Sequence, residues 1–393
     1  MKMKRRKFKS RFNSFAFTRS EVFLSKTLKM LIVFIITILV STSIGGCTTM
    51  DKGKSDLIRS ISFSPDGKKL LFSRVRAGEL HRIHVYNLET GELAAYQPPD
   101  GERWLQARYS FDGKRIVFIA MPLIGCNEDL DNAQIAIMDM DGKNTRKITN
   151  KPGLKIYPSF SHSGRKIIFA RANVIREKGS RTPAADYDVY EVDVATGRET
   201  RLTYFKFFEM SAPYYFPDDK TFVFWGDPPG AYPAIPDSDK NIYIMNKVRK
   251  DLRSKYKYNS IYVMQANEKE LKPYLVMPEY QKKYKMYVAD SEFSRRPSLS
   301  ADGSVLVFLA QGYKLDGSAD SGHLYQYSAD GNHRSITRCG TIRGVAVSYN
   351  GELMAVIQES KQNINNIVIY KVKDGTSRVI ILPDQPLRII NSQ

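Results

Sequence analysis

One short phrase recurs six times along this chain: an apolar strand end, a serine, a turn written Asp-Gly or a near relative, and a second strand closing on an apolar anchor. Four copies are clear: Ser64-Pro65-Asp66-Gly67-Lys68 to Phe72, Ser110-Phe111-Asp112-Gly113-Lys114 to Phe118, Ser161-His162-Ser163-Gly164-Arg165 to Phe169, and Ser300-Ala301-Asp302-Gly303-Ser304 to Phe308. Two are worn, Phe216-Pro217-Asp218-Asp219-Lys220 to Phe224 and Ser348-Tyr349-Asn350-Gly351-Glu352 to Val356. Asp-Gly or Asn-Gly between apolar runs supplies the positive φ of a tight hairpin turn. A hairpin repeated at this period cannot bury both faces alone, so its copies must stack on one another.

Paired apolar residues follow each turn, among them Leu70-Leu71, Ile116-Val117, Ile167-Ile168, Phe222-Val223 and Leu306-Val307. Adjacent apolar residues in a strand point to opposite faces, so these strands are expected to be buried on both sides. A third strand is predicted over 83–88, 135–140, 189–194, 261–264, 324–327 and 367–372, and a fourth near 148–149, 202–203, 336–337 and 379–380. Four antiparallel strands per unit of about fifty residues describe a propeller blade. The turn positions are spaced 46, 51, 55, 84 and 48 residues apart, taking Asp219 as a glycine equivalent. The expected fold is therefore all-β, a six-bladed β-propeller. A seven-bladed ring is the alternative if the 84-residue interval hides a decayed copy.

The run S-P-D-G-K-K-L-L-F-S-R, followed by I-H-V-Y-N-L-E-T-G and later by K-I-T-N and R-L-T, resembles the WD-like propeller repeat of the TolB type. The resemblance covers roughly residues 55–383 and implies a fold more than an activity. Repeats of this kind serve as binding platforms in TolB-like proteins and as gating domains beside the hydrolase of prolyl oligopeptidase relatives.

The amino terminus reads as an export signal. Residues 2–29 hold ten Lys or Arg and one acid, Glu21, and the apolar run 30–40 follows. Such a run is short for a membrane span and has the length of a signal-peptide core. Ile44-Gly45-Gly46-Cys47 resembles a bacterial lipobox, which implies a signal peptide over 1–46, diacylglycerol on the Cys47 thiol, and a tether over 47–55 leading to a propeller over 56–393. A plain transmembrane anchor is the other reading, and Met30 is an alternative start. Thr48 in place of aspartate resembles the outer-membrane sorting default, so the expected address is the periplasmic face of the outer membrane, with the inner membrane or cell surface as alternatives. Cys126 and Cys339 are then the remaining thiols, expected to stay free although an oxidising compartment would permit a disulfide.

The net charge of +19 is unevenly placed. The signal accounts for +9. Residues 47–239 and 286–393 are nearly neutral, whereas 240–285 hold twelve bases against four acids inside the long interval between repeats. This segment follows the Pro-rich loop 226–233, and an insertion is expected at about 226–259. Its candidate binding residues are Lys247, Arg249, Lys250, Arg253, Lys255 and Lys257, continued by Lys282, Lys283 and Lys285, interleaved with tyrosines such as Tyr256, Tyr258 and Tyr284. Bases among aromatics hold anionic headgroups or polymers, though a solvated basic loop has the same composition. An exported chain meets no nucleic acid, so the expected partner is an envelope protein or an anionic envelope ligand.

Reactive constellations are sparse. There is no G-x-S-x-G elbow, no H-E-x-x-H and no paired C-x-x-C, so neither a serine hydrolase nor a zinc site has sequence support, and no cofactor is implied. His81 and His84, three apart, fall on opposite faces of a strand. His162 sits where the turn usually has proline and is expected to be exposed. Asn127-Glu128-Asp129-Leu130-Asp131-Asn132 offers alternate oxygen ligands but lacks the glycine and terminal glutamate of a calcium loop. The turn residues Asp66, Asp112, Asp218, Asp302 and Asn350 are explained by turn geometry. The function expected is that of a lipid-anchored, non-catalytic binding scaffold; an anionic-glycan-binding or glycan-processing propeller is the alternative.

Overall fold

The computed structural model describes residues 56–391 except 77–80, 126, 176–183, 208, 227–259, 269–296, 311–321, 329–332, 340–341, 360–364 and 384–387. They form six sheets in chain order, antiparallel except for one added edge strand. Blade 1 comprises β1 (Asp56–Phe63), β2 (Lys69–Arg76), β3 (Arg82–Asn87) and β4 (Leu93–Gln97). Blade 2 has β5 (Glu102–Tyr109), β6 (Arg115–Ile124), the short β7 (Asn127–Glu128), β8 (Gln134–Asp139) and β9 (Arg146–Lys147). Blade 3 has β10 (Leu154–Phe160), β11 (Lys166–Val174), β12 (Ala184–Asp193) and β13 (Glu199–Arg201). The described strands of blade 4 are β14 (Met210–Tyr215), β15 (Thr221–Gly226) and β16 (Ser260–Gln265). Blade 5 holds β17 (Ser298–Leu299), β18 (Val305–Ala310), β19 (Gly322–Ser328) and β20 (His333–Cys339). Blade 6 holds β21 (Ile342–Val347), β22 (Leu353–Glu359), β23 (Asn365–Lys371) and β24 (Ser377–Ile380). The first strand of each blade touches the first strand of the next all the way round, β21 meeting β1, so the six blades close into a ring.

The recurring phrase builds the hairpin through its serine as much as through its glycine. In blade 1 the Ser64 carbonyl accepts the Gly67 N–H at 2.9 Å, the Ser64 hydroxyl accepts the Lys69 N–H at 2.9 Å and donates to Asp66 Oδ1 at 2.5 Å, and the same Oδ1 accepts the Lys68 N–H at 3.0 Å. Blades 2, 5 and 6 repeat the arrangement around Ser110, Ser300 and Ser348. Only the glycine of this turn has positive φ (+72° at Gly67), so the loop is wider than a two-residue hairpin with two left-handed residues. In blade 4 phenylalanine replaces serine. Asp218 takes over by accepting the N–H groups of Lys220 and Thr221 at 2.9 and 2.8 Å, and Asp219 adopts the glycine conformation at φ +52°.

The core lies between blades. Leu70, Leu71, Ile116, Val117, Ile167, Ile168, Phe222 and Val223 are all inaccessible to solvent, as strands packed on both faces require. The anchors Phe72, Phe118, Phe169, Phe224 and Val356 are equally sealed, each contributing on the order of 1.5–3 kcal/mol by burial. One strand was not expected: β25 (Arg388–Asn391) pairs in parallel with β4, as a fifth strand on the outer edge of blade 1.

The two ends of the channel

Contacts between blades that are not neighbours can be made only across the ring's axis, and they cluster at the end where the serine turns lie. The residue after the serine is the tip of each turn. Phe111 of blade 2 stacks on His162 of blade 3 (centroids 3.7 Å apart) and meets Tyr349 of blade 6 edge-on at 5.2 Å. The Tyr349 hydroxyl donates to the Tyr109 carbonyl of blade 2 at 3.0 Å, and His162 Nε2 lies 2.6 Å from the Ala301 carbonyl of blade 5. Asp219 of blade 4 accepts the N–H groups of His162 and Ser163 at 2.6 and 3.0 Å. Further in, the Arg108 guanidinium of blade 2 lies 4.0 Å over the Tyr214 ring of blade 4. The turn-side end of the channel is therefore filled by side chains from blades 2, 3, 4 and 6.

This overturns the expected exposure of His162. Its side chain is 18 % exposed, because the tip points inward to the axis rather than out to solvent. The turn carboxylates have the structural role expected of them. Slight burial opposes ionisation of Asp66, but the Ser64 hydroxyl and the Lys68 N–H outweigh it and hold the carboxyl below its usual range; Asp112 and Asp302 repeat the pattern.

Strand direction places every loop from the second to the third strand of a blade on the opposite face, with the connections to the next blade. All five described pairings of first and second strands longer than two residues carry a bulge: the register shifts fall between Ile58 and Ser60, Leu105 and Arg108, Ile156 and Ser159, Ser211 and Tyr214, and Ile342 and Gly344. At three of them a non-glycine residue takes positive φ, Gln106, Tyr157 and Ala212. A hydrogen-bonded chain locks these bulges across blades 1 to 3: Ser60 donates to Ser73 Oγ, which accepts the Gln106 N–H, and Gln106 Oε1 accepts the Tyr157 N–H.

No protein-family model matches the sequence, and no curated protein matches it either. Solved structures do match in shape. TolB from Acinetobacter baumannii superposes with a TM-score of 0.53 at 16 % identity, over 84 % of this chain and 64 % of that one. An oligogalacturonate lyase in complex with manganese gives 0.50 at 16 % identity, over 84 % and 78 % of the two chains. The lyase from Vibrio parahaemolyticus gives 0.50 at 12 % identity, over 84 % and 79 %. The chain has a TolB-like propeller fold. It spans less than two thirds of the length of the A. baumannii TolB. Because the fold is shared by TolB and by a lyase, it does not by itself decide between binding and catalysis.

On the loop face of this TolB-like propeller the described residues are basic near the junction of blades 1 and 2. His81 precedes β3, and burial, reinforced by Arg103 and Arg59, pulls its imidazole down to about 4. Arg103 pairs with Glu128 at 3.0 Å, which takes one oxygen donor away from the acidic loop 127–132; Asp129 there accepts from Asn132 at 2.6 Å. His84 is buried and stacked on Phe72 at 5.5 Å. Among the described residues no group of three or more His, Cys, Asp or Glu could hold a metal ion, and no helix is long and apolar enough to cross a membrane. The expected binding residues Lys247, Arg249, Lys250, Arg253, Lys255, Lys257, Lys282, Lys283 and Lys285, like Cys47 and Cys126, lie outside the described residues. The flanks of the insertion are described: Gly226 pairs with Ser260 at the loop-face end of β15 and β16.

The imidazole of His81 makes acid stability a measurable property of this corner. A histidine whose folded pKa is below its unfolded value of 6.5 leaves the unfolded chain the stronger proton binder, so stability is lost as pH falls from 6.5 towards 4. His81→Gln is expected to remove up to about 3 kcal/mol of that loss. Urea unfolding of both proteins at pH 7 and pH 4.5 checks it; equal acid sensitivity would contradict the assignment.

Proposed function

We propose that this chain is a lipid-anchored protein of the bacterial envelope, tethered through Cys47 at the periplasmic face of the outer membrane, whose propeller is a non-catalytic scaffold for an envelope protein or anionic ligand. The observation that carries the reading is the filled turn-side end of the channel. With that end filled, the loop face is the side assigned to a partner. The segments 121–134, 172–187, 226–259 and 311–322 connect second to third strands in sequence, and the described strand ends that flank them lie at that face. Rigid strands presenting long loops are the usual architecture of a binding surface. The 226–259 insertion, with its run of bases, is the part of that face assigned to the partner, and Lys282, Lys283 and Lys285 extend it in sequence.

Charge reversal at Lys247, Lys250 and Lys255 to glutamate tests the assignment. Partner recovery after cross-linking in intact cells is expected to fall roughly tenfold or more, since each reversal replaces attraction by repulsion. Unchanged recovery, with the variant as abundant as wild type, would remove the insertion from the binding surface.

A second reading is favoured by Arg59 and Arg103 beside His81, at the loop-face end of blades 1 and 2, and by the likeness to oligogalacturonate lyase. In it the loop face takes an acidic glycan, with arginines as carboxylate clamps. Binding of an acidic oligosaccharide that survives the triple lysine reversal but is lost in Arg59→Ala would select this reading over the first.

A further inference from the structure

Among the described residues no strand is shared between the first and last sheets at the seam of blades 6 and 1. β1 packs on β21, β22 and β23, and the apolar cluster there draws Ile58, Ile61, Phe63, Leu70 and Phe72 from blade 1 and Ala355, Ile357, Ile367, Ile369 and Ile380 from blade 6. What crosses the seam covalently is the carboxy-terminal stretch. After β24 the chain packs Leu382 on this same cluster, the Pro383 carbonyl accepts from Arg74 Nη1 of β2 at 3.0 Å, and β25 then pairs with β4 through Arg388–Ala94, Ile389–Ala95, Ile390–Tyr96 and Asn391–Gln97. Alternation in β25 turns Ile389 outward, 43 % exposed, and Ile390 inward against the cluster of blades 1 and 2. The receiving edge is shaped for it. Gly142, in the turn between β8 and β9 at φ +86°, would put a Cβ only 2.9 Å from Ile390 Cγ2 and 3.3 Å from Tyr96 Cδ1, so a side chain there collides with the seated isoleucine.

We propose that the outer edge of β4, with the Tyr96–Gly142 hollow, is a strand-acceptor site for an extended Ile-containing peptide lying parallel to β4, and that the chain fills it with its own carboxy terminus to clasp the ring shut. A four-residue parallel ladder with a single inward anchor is the weakest pairing at this seam, because every strand it joins is otherwise held by its own blade. Exposed sheet edges accept such strands through main-chain hydrogen bonds, with pockets for alternate side chains. The site has a definite polarity, since a strand bound antiparallel would present a different set of side chains to the hollow.

The full chain carrying Ile390→Asp tests this. Hydrogen exchange is followed in β1, β4 and β21 at the seam and in β10 and β14 on the far side of the ring. The expected result is roughly tenfold or greater loss of protection confined to the seam strands. A synthetic peptide of residues 381–393 with the native sequence, added in excess, is expected to restore that protection, and the same peptide carrying the aspartate is not. Loss spread evenly over all blades, no loss at all, or failure of the native peptide to bind would overturn the proposal. If the variant does not accumulate, exchange in the wild-type chain decides: residues 388–391 are expected to open before β1–β4, and opening only together with global unfolding would overturn it.

Discussion

Asp188→Ala is expected to lower the unfolding free energy by about 3–5 kcal/mol, the range for removing one member of a buried ion pair. The carboxylate lies in β12 with no exposed surface and accepts four donors: Arg201 Nη2 at 2.5 Å, Thr203 Oγ1 at 2.7 Å, and the N–H groups of Phe205 and Lys206 at 2.9 and 3.2 Å. Burial pushes its carboxyl up, and these donors pull against that push. Alanine strands two backbone donors and a hydroxyl in the connection from blade 3 to blade 4. Asp188→Asn keeps one acceptor oxygen and should lose clearly less. The same connection receives the Asn267 N–H at the Leu202 carbonyl, 3.0 Å, just ahead of residues 269–296. Loosening it therefore disturbs the contact between blades 3 and 4 as well as the core. Equilibrium denaturation with an unchanged m-value is the measurement, and a loss below about 1 kcal/mol would show that water replaces the carboxylate.

Lys155→Met is expected to cost about 3 kcal/mol, because it takes a donor from three carbonyls, of which that of Lys151 keeps Gln134 Nε2 at 3.3 Å. The side chain of Lys155 is sealed in β10, and its Nζ donates to Ala133, Lys151 and Gly153 carbonyls at 3.1, 2.5 and 3.2 Å. Methionine fills a similar volume but satisfies none of them. Burial pulls the ammonium down to about 8 from 10.5, Glu199 and Asp131 acting the other way. Between those values the unfolded chain binds more protons, so the wild type gains stability with rising pH and the gap to the variant should widen from pH 8 to pH 10. A gap that stays constant or narrows over this window would show that burial does not weaken the ammonium's hold on its proton.

Much of the ring was legible because its signal is local. Serine, Asp-Gly and the anchor five residues on specify one hairpin with no reference to any other, and stacking follows from surfaces that a single hairpin cannot bury. The predicted third strands lie inside the observed ones or overrun them by one residue. His162 was misplaced for the complementary reason. Its turn slot is local, but its surroundings are Phe111, Asp219 and Ala301, the last 139 residues away. Gln106 and Tyr157 gave no warning of positive φ, since their bulges answer to hydrogen bonds from neighbouring blades. Of the proposed binding surface, composition located the basic interval, and strand direction adds that its described flanks, Gly226 and Ser260, lie at the loop-face end of β15 and β16.

The sequence alone determined that this chain repeats a hairpin six times, that the copies stack as an all-β propeller, and that the excess charge beyond residue 46 is concentrated in one interval. These properties need only turn chemistry, period-two burial and counting. Tertiary structure decided which turn tips meet across the axis, which charged groups, Lys155 and Asp188, are sealed inside, and that β25 crosses from blade 6 to blade 1. Those outcomes depend on pairs such as Tyr349 with Tyr109, 240 residues apart, and Arg74 with Pro383, 309 apart. No local pattern encodes such pairs, because their geometry exists only once the ring has closed.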